Sequence, residues 1–360
     1  VKALSVLALC VVILLPALVK AQSYIEFISR QLAEAEDYLA VNPARSLELL
    51  DAIGPLQQPE ELSIRWHLLV MRSALPTNQL DKMQLSLQQI FSYQQHPLFV
   101  DNLASINSAA GIWLRRNRYV ADAKTSLQCA MKYAKNTAQR LTLLNSMGLV
   151  SRELDDYATA SSQFHQARTL ASAAGNTRVL AMVENNLGLL AMEQTNYAEA
   201  ALRLRSALTH YQSLNLRSGQ ISSALNLMLV FLLQGDIEQF QRLLGPTSTM
   251  TQHFPNQAKH ALLVWLHAYF QHLAPAQEVM VSQAELQAAF TQLDSPQQQR
   301  LIQQKFAVAL NVPVELPATT LKTQFNQPWF SAIKNCSWPA AAAQSDGLIG
   351  AQSDGKNDGH

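Results

Sequence analysis

Charge is scarce in this sequence, and what there is balances. Charged side chains make up 15% of the 360 residues, 27 basic against 26 acidic, where soluble domains usually carry about a quarter. No basic stripe or basic domain stands out, which argues against nucleic-acid binding, a task that needs clustered Lys and Arg. Glycine is also sparse, at 12 residues. No phosphate-cradling glycine loop, zinc-protease helix or Gly-x-Ser-x-Gly elbow occurs. Ser, His and carboxylates are scattered without a readable triad, so the expectation is a non-catalytic protein with no cofactor. Alternating runs of β-branched residues are missing as well, and the abundant Leu, Ala and Gln favour helix. Past residue 21 no apolar run reaches the roughly twenty residues that a bilayer crossing takes.

What is present is a repeat. Ser146-Met147-Gly148 is followed by Tyr157, Ala160, Phe164 and Ala167, and Asn186-Leu187-Gly188, forty residues on, by Tyr197, Ala200 and Ala207. Gly to first Ala is twelve residues in both, and Gly to last Ala nineteen. Gly111 with Ala123, Leu127 and Ala130 forms an earlier copy. A later copy is degenerate, with Met228 in the glycine position and Phe240 in the alanine position, which predicts looser packing or a change of direction there. Asn196 with Glu199 and Asp236 with Gln239 are helix-start signals. A fixed period of this length marks stacked helical hairpins, none of which can bury its apolar stripe alone.

These residues resemble the tetratricopeptide repeat, in its longer form. The resemblance is clearest over residues 101–245 and implies an all-α, right-handed solenoid of TPR-like hairpins. Weaker markers, Asn42-Pro43 with Leu47 and Leu50, then Trp66-His67-Leu68-Leu69, are similar to exported bacterial TPR sensor and adaptor regions. The catalytic domain fused to some of those, with its Gly-Gly-Asp/Glu-Glu-Phe motif, has no counterpart here. The implied organisation is divergent hairpins at 22–100, repeats at 101–245, a helical C-terminal cap at 246–339 and a disordered, Ala/Gly/Ser/Asp-rich tail at 340–360. After Leu244-Gly245-Pro246 a loop is expected, and the aromatic stretch from Trp329 to Trp338 is expected to tuck against the cap.

The apolar run from Ala3 to Val19, followed by Lys20 and a small-x-small pattern at Val19 and Ala21, reads as a signal peptide cleaved after Ala21. A retained anchor is the rival reading, and Val in first place leaves the true start open. Removal of residues 1–21 takes away Lys2 and Lys20, leaving 25 basic against 26 acidic residues, a net charge of −1. The expected location is the periplasm or outside the cell. Cys129 and Cys336 then remain. Two unpaired, partly buried thiols is the reading the sequence favours, with a disulfide pinning the tail to the repeats as the alternative.

His253, His260 and His267 are too far apart along a helix to share a metal, and the Asp354–Gly359 stretch lacks a calcium loop's ligands. No metal site is expected. The candidate site is the concave groove that the family lines with the first helix of each hairpin. The resemblance places Asn186 and Asn226 where a peptide backbone is contacted, with Asn145 and Asn185 one residue earlier. Asn both donates and accepts, which suits an extended peptide. Arg115, Arg116 and Arg152 lie further along the same helices as partners for a carboxylate, and Met182, Met192 and Leu189 as adaptable apolar contacts. The predicted role is a non-catalytic scaffold binding a peptide or protein in envelope signalling or assembly. The alternative is a structural factor acting by self-association.

Overall fold

The computed structural model describes residues 22–56, 59–273, 281–317, 322 and 324–338. The expected signal peptide and the expected tail lie outside them. Among the described residues the chain is helical, with no strand. Helix α1 covers 22–38, followed by α2 (Pro43–Ile53), α3 (Glu60–Ala74), α4 (Leu80–Ile90), a short α5 (Pro97–Asp101), α6 (Leu103–Arg116) and α7 (Val120–Lys132). Then come α8 (Thr137–Glu153), α9 (Tyr157–Ala173), α10 (Thr177–Glu193), α11 (Tyr197–Ser213), α12 (Arg217–Gln234) and α13 (Ile237–Gln252). The C-terminal part adds α14 (Gln257–Leu273), α15 (Gln283–Gln292), α16 (Pro296–Leu301), which runs on into a π-helical turn, and α17 (Phe330–Asn335).

Consecutive helices pair as hairpins, and the first helices α3, α6, α8, α10, α12 and α14 also touch one another in sequence. This is a solenoid. The local chemistry repeats with it. Asn136, Asp156, Asn176, Asn196 and Asp236 each accept a hydrogen bond from the backbone N–H three residues on, satisfying an otherwise orphaned donor. The first helices α3, α6, α8, α10 and α12 end the same way. Asn78, Arg118, Asp155, Thr195 and Gly235 adopt positive φ, between 58° and 73°. The next residue's N–H then reaches back to a carbonyl of the last helical turn, as in Asp156 to Ser151 and Asn196 to Ala191, both at 2.9 Å. That is the geometry of a helix C-cap. Asn78 carries the period back to α3 and α4, well before the first legible motif.

The repeat glycines are packing positions. A Cβ at Gly111 would stand 2.7 Å from Leu127, one at Gly148 2.4 Å from the Phe164 ring, and one at Gly188 2.6 Å from Leu204. In each case the opposing side chain comes sixteen residues later, on the second helix. Gly148→Ala is expected to cost about 2 kcal/mol through overpacking. Phe164→Leu should recover part of that loss in the double variant, so chemical denaturation of the four proteins should show non-additive stabilities.

Several expectations need correction. The degenerate unit is not loosely packed: Met228 and Phe240 are fully buried, and Phe240 stacks on Phe270 with ring centroids 4.9 Å apart. The larger side chains there fill the space before α14, whose Ala261, Leu262, Trp265 and Leu266 join the same core. The loop expected after Leu244 is instead the second half of α13, with Pro246 inside the helix. Thr247 and Thr251 are buried beyond it, so tertiary packing outweighs the hydrogen bond that proline removes. The aromatic stretch does not cover the C-terminal helices either. It returns across some two hundred residues to α4–α7, where Phe325, Trp329, Phe330 and Ile333 enter the core beside Phe91, Phe99 and Trp113. Phe325 N–H donates to Asp122 Oδ2 at 2.7 Å, Trp329 stacks on Phe91 at 5.1 Å, and Trp338 N–H donates to the Tyr133 hydroxyl at 3.0 Å. Cys129 and Cys336 are joined by a disulfide, so the two-thiol reading is wrong. The bond follows from α17 packing on α7.

Candidate functional site

Two hollows open on the first helices. The smaller, about 610 Å³, is a trough across α3, α6 and α8. Its floor is apolar, built from Leu68, Leu75, Leu98, Ala109, Ile112 and Leu143, with Arg65, Arg72, Glu36, Asn102 and Gln139 around it. Leu68, Leu75, Leu98 and Ile112 are half-buried, so apolar surface faces solvent. Glu36 ties the rim together by ion pairs to Arg65 at 3.0 Å and Arg72 at 3.5 Å.

The larger hollow, about 1380 Å³, shares Leu75 with the trough and lies at the C-terminal ends of α6 and α8. Arg115, Arg116, Arg118, Arg152 and Glu153 form one wall, and the α13–α14 connection with Asp294–Gln297 forms the other. The solenoid therefore brings its early and late repeats to opposite sides of one space. Arg115 pairs with Glu153 at 2.5 Å and Arg152 with Glu193 at 3.5 Å, each bridging neighbouring repeats. Burial raises the Glu193 carboxyl above its ordinary range, against the pull of Arg152 and Arg300. Arg116 donates to Asn78 Oδ1 at 3.0 Å. Desolvation and the adjacent Arg115 lower its pKa, while Asp294 acts the other way. Lys259 donates to the Ser218 carbonyl and hydroxyl at 2.6 and 2.8 Å and lies over the Phe254 ring. Burial pushes its ammonium down to about 8, opposed by Asp294. His260 Nε2 is 2.8 Å from the Phe254 carbonyl oxygen.

The sequence-predicted residues divide. Arg115, Arg116 and Arg152 line the larger hollow. Asn145, Asn186 and Asn226 are buried, and their amides engage one another's repeats: Asn186 Nδ2 donates to Asn145 Oδ1 at 2.7 Å and Asn226 Nδ2 to Asn185 Oδ1 at 3.2 Å. Gln298, from the incoming C-terminal segment, donates to Asn226 Oδ1 at 3.1 Å. Met192 is buried in the core formed with α11 and α12, Leu189 packs against it, and Met182 is exposed. None of the ten residues lines the trough. It was signalled by a second stripe of mostly apolar and small residues, Leu68 and Leu75 on and just after α3, with Arg72 between them, and Ser105, Ser108, Ala109 and Ile112 on α6. Those spacings of three, four and seven keep one helix face together.

No protein-family model and no curated protein matches the chain. Solved structures do. A Rap protein complexed with competence and sporulation factor aligns over 80% of this chain and 84% of its own, at 13% identity and a TM-score of 0.57. The apo form of RapI aligns over 79% and 94%, at 12% identity and 0.49. BtubC from P. vanneervenii aligns over 75% and 100%, at 12% and 0.41. At such identities the first of these speaks to fold alone, and it agrees with the hairpin stack described above: the chain is an all-α, TPR-like helical-repeat solenoid.

Proposed function

We propose that the protein is a non-catalytic repeat scaffold that binds a peptide or protein partner along the first helices. The observation that carries this reading is the open apolar trough across α3, α6 and α8. Apolar floor with a polar rim is the composition of recognition grooves. The Rap protein of similar fold is described in complex with competence and sporulation factor, which supports a binding role for this architecture. The alternative of self-association draws on the exposed Tyr24, Ile25 and Phe27 of α1. Met228 and Phe240, which would have offered an apolar ridge, are buried.

We further propose an exported protein acting in envelope signalling or assembly. The leader-like residues 1–21 suggest export, and a Cys129–Cys336 bond is at home in an oxidising compartment.

Affinity capture from envelope extract tests the groove. Leu68→Glu with Ile112→Glu places charge on the half-buried trough floor. Partners held by the wild type and lost by this variant, at unchanged helicity, are the expected result. Equal capture by both would reject the trough and favour association through α1.

A further inference from the structure

We infer that the segment bound in the groove is acidic: apolar side chains seat in the trough and a carboxylate enters the arginine-lined hollow. This rests on the groove reading above and adds the chemistry of the ligand. The two hollows share Leu75, so one extended chain can run from the apolar floor into the charged end. The charged end has more cation than its own acids match. Arg115, Arg116, Arg118 and Arg152 line it together with Glu153 and Asp294, and Glu153 is taken by Arg115.

The remaining arginines are under-bonded. Arg152 is 7% exposed, and its Nε and Nη1 find no hydrogen-bond acceptor. Among the described residues its one acidic neighbour within ion-pair distance, Glu193, stands 3.5 Å away, and burial raises that carboxyl above its ordinary range. Arg118 Nε is likewise buried without an acceptor, and the Arg116 hydrogen bond goes to a neutral amide. A buried guanidinium without acceptors is costly, and a carboxylate is the group whose geometry matches it. The molecule already brings one carboxylate toward these cations. Asp294, on the loop before α16, interacts electrostatically with both Arg116 and Lys259, and Gln298 on the same segment bonds Asn226. An arriving segment of this chain thus uses an acid and an amide to hold the first-helix face, and a partner peptide would use the same arginines.

Fluorescence anisotropy with defined peptides on the whole protein tests this. The probe is fluorescein-labelled Leu-Ala-Leu-Ala-Asp with a free C-terminus. The controls replace Asp by Asn, amidate the C-terminus, or do both, which separates a side-chain carboxylate from a terminal one. The doubly neutral peptide should bind about tenfold more weakly than the acidic one, and high salt should narrow the gap. Arg116→Gln or Arg152→Gln should reduce the preference to about twofold or less. Asp294→Asn, which removes the internal carboxylate, should tighten the acidic peptide about threefold. Acidic and neutral peptides binding alike would overturn the proposal, as would a preference that survives both arginine replacements. Should all four bind equally and all be lost in Ile112→Glu, the groove reading stands and the charge assignment falls. Should none bind while envelope capture still depends on the trough, the charge assignment falls alone.

Discussion

Replacing Cys129 and Cys336 together by Ser is expected to lower the unfolding free energy by about 4 kcal/mol. The bond closes a loop spanning 207 residues, for which the chain-entropy account gives about 5 kcal/mol. Enthalpic differences between the oxidised and reduced states bring the expected effect below that ceiling. The loss should be larger than for a disulfide within one hairpin, because this one joins the returning C-terminal segment to the early repeats. Stacked repeats are held mainly by their neighbours and can unravel from an end. A strap running from Lys322, whose N–H donates to the Arg118 carbonyl at 3.1 Å, to Trp338 at Tyr133 opposes that. Urea titrations with and without reductant, beside the Ser variant, measure the effect. Coincident curves for oxidised and reduced protein would show that the aromatic contacts alone hold the strap.

Lowering the pH from 7 to 4 should cost about 3 kcal/mol of stability through one residue, His67. The imidazole is 2% exposed on α3, edge-on to Trp66 with centroids 4.9 Å apart, and its Nδ1 has no hydrogen-bond partner. Burial lowers its pKa from 6.5 to about 4, with no charged neighbour contributing. The unfolded chain therefore binds more protons between these values, and stability rises with pH across the window. The contribution is fully present above 6.5. About 2 kcal/mol of it is lost by pH 5 and about 3 kcal/mol by pH 4, with little left to lose below. Carboxylates titrate in the same range, so the readout is the difference between the wild type and His67→Phe. The variant should lack this part of the slope, and parallel pH profiles for the two would show that His67 is solvated or paired.

The fold was legible because its signals are local and periodic. Gly148 with Phe164, and Asn196 with Glu199, sit at fixed offsets within one hairpin, and hairpins stack by repetition. Degeneracy at Met228 misled because only the neighbouring α14 reveals that the larger side chain is needed there. Pro246 misled because its local preference was outweighed by the burial of Thr247 and Thr251. The disulfide stood only as the less favoured alternative, and the strap was missed, for a simpler reason: no periodicity reports a contact across two hundred residues. The site was half legible. Arg115, Arg116 and Arg152 do line a hollow, but the asparagines chosen for their donor and acceptor capacity spend it on one another between repeats. The trough escaped notice because its residues look like ordinary core positions. Only the stack shows that, among the described residues, no helix lies over the face carrying Leu68, Ala109 and Ile112.

The most direct measurement is site-specific photo-crosslinking in living cells, with a benzophenone amino acid at Ile112 in the trough and, separately, at Leu202, which is 60% exposed on α11. If the trough is the binding surface, a discrete adduct forms at position 112, disappears in the Leu68→Glu background, and is missing at position 202. Adducts at 202 with none at 112 would place the partner on the second helices and contradict the groove.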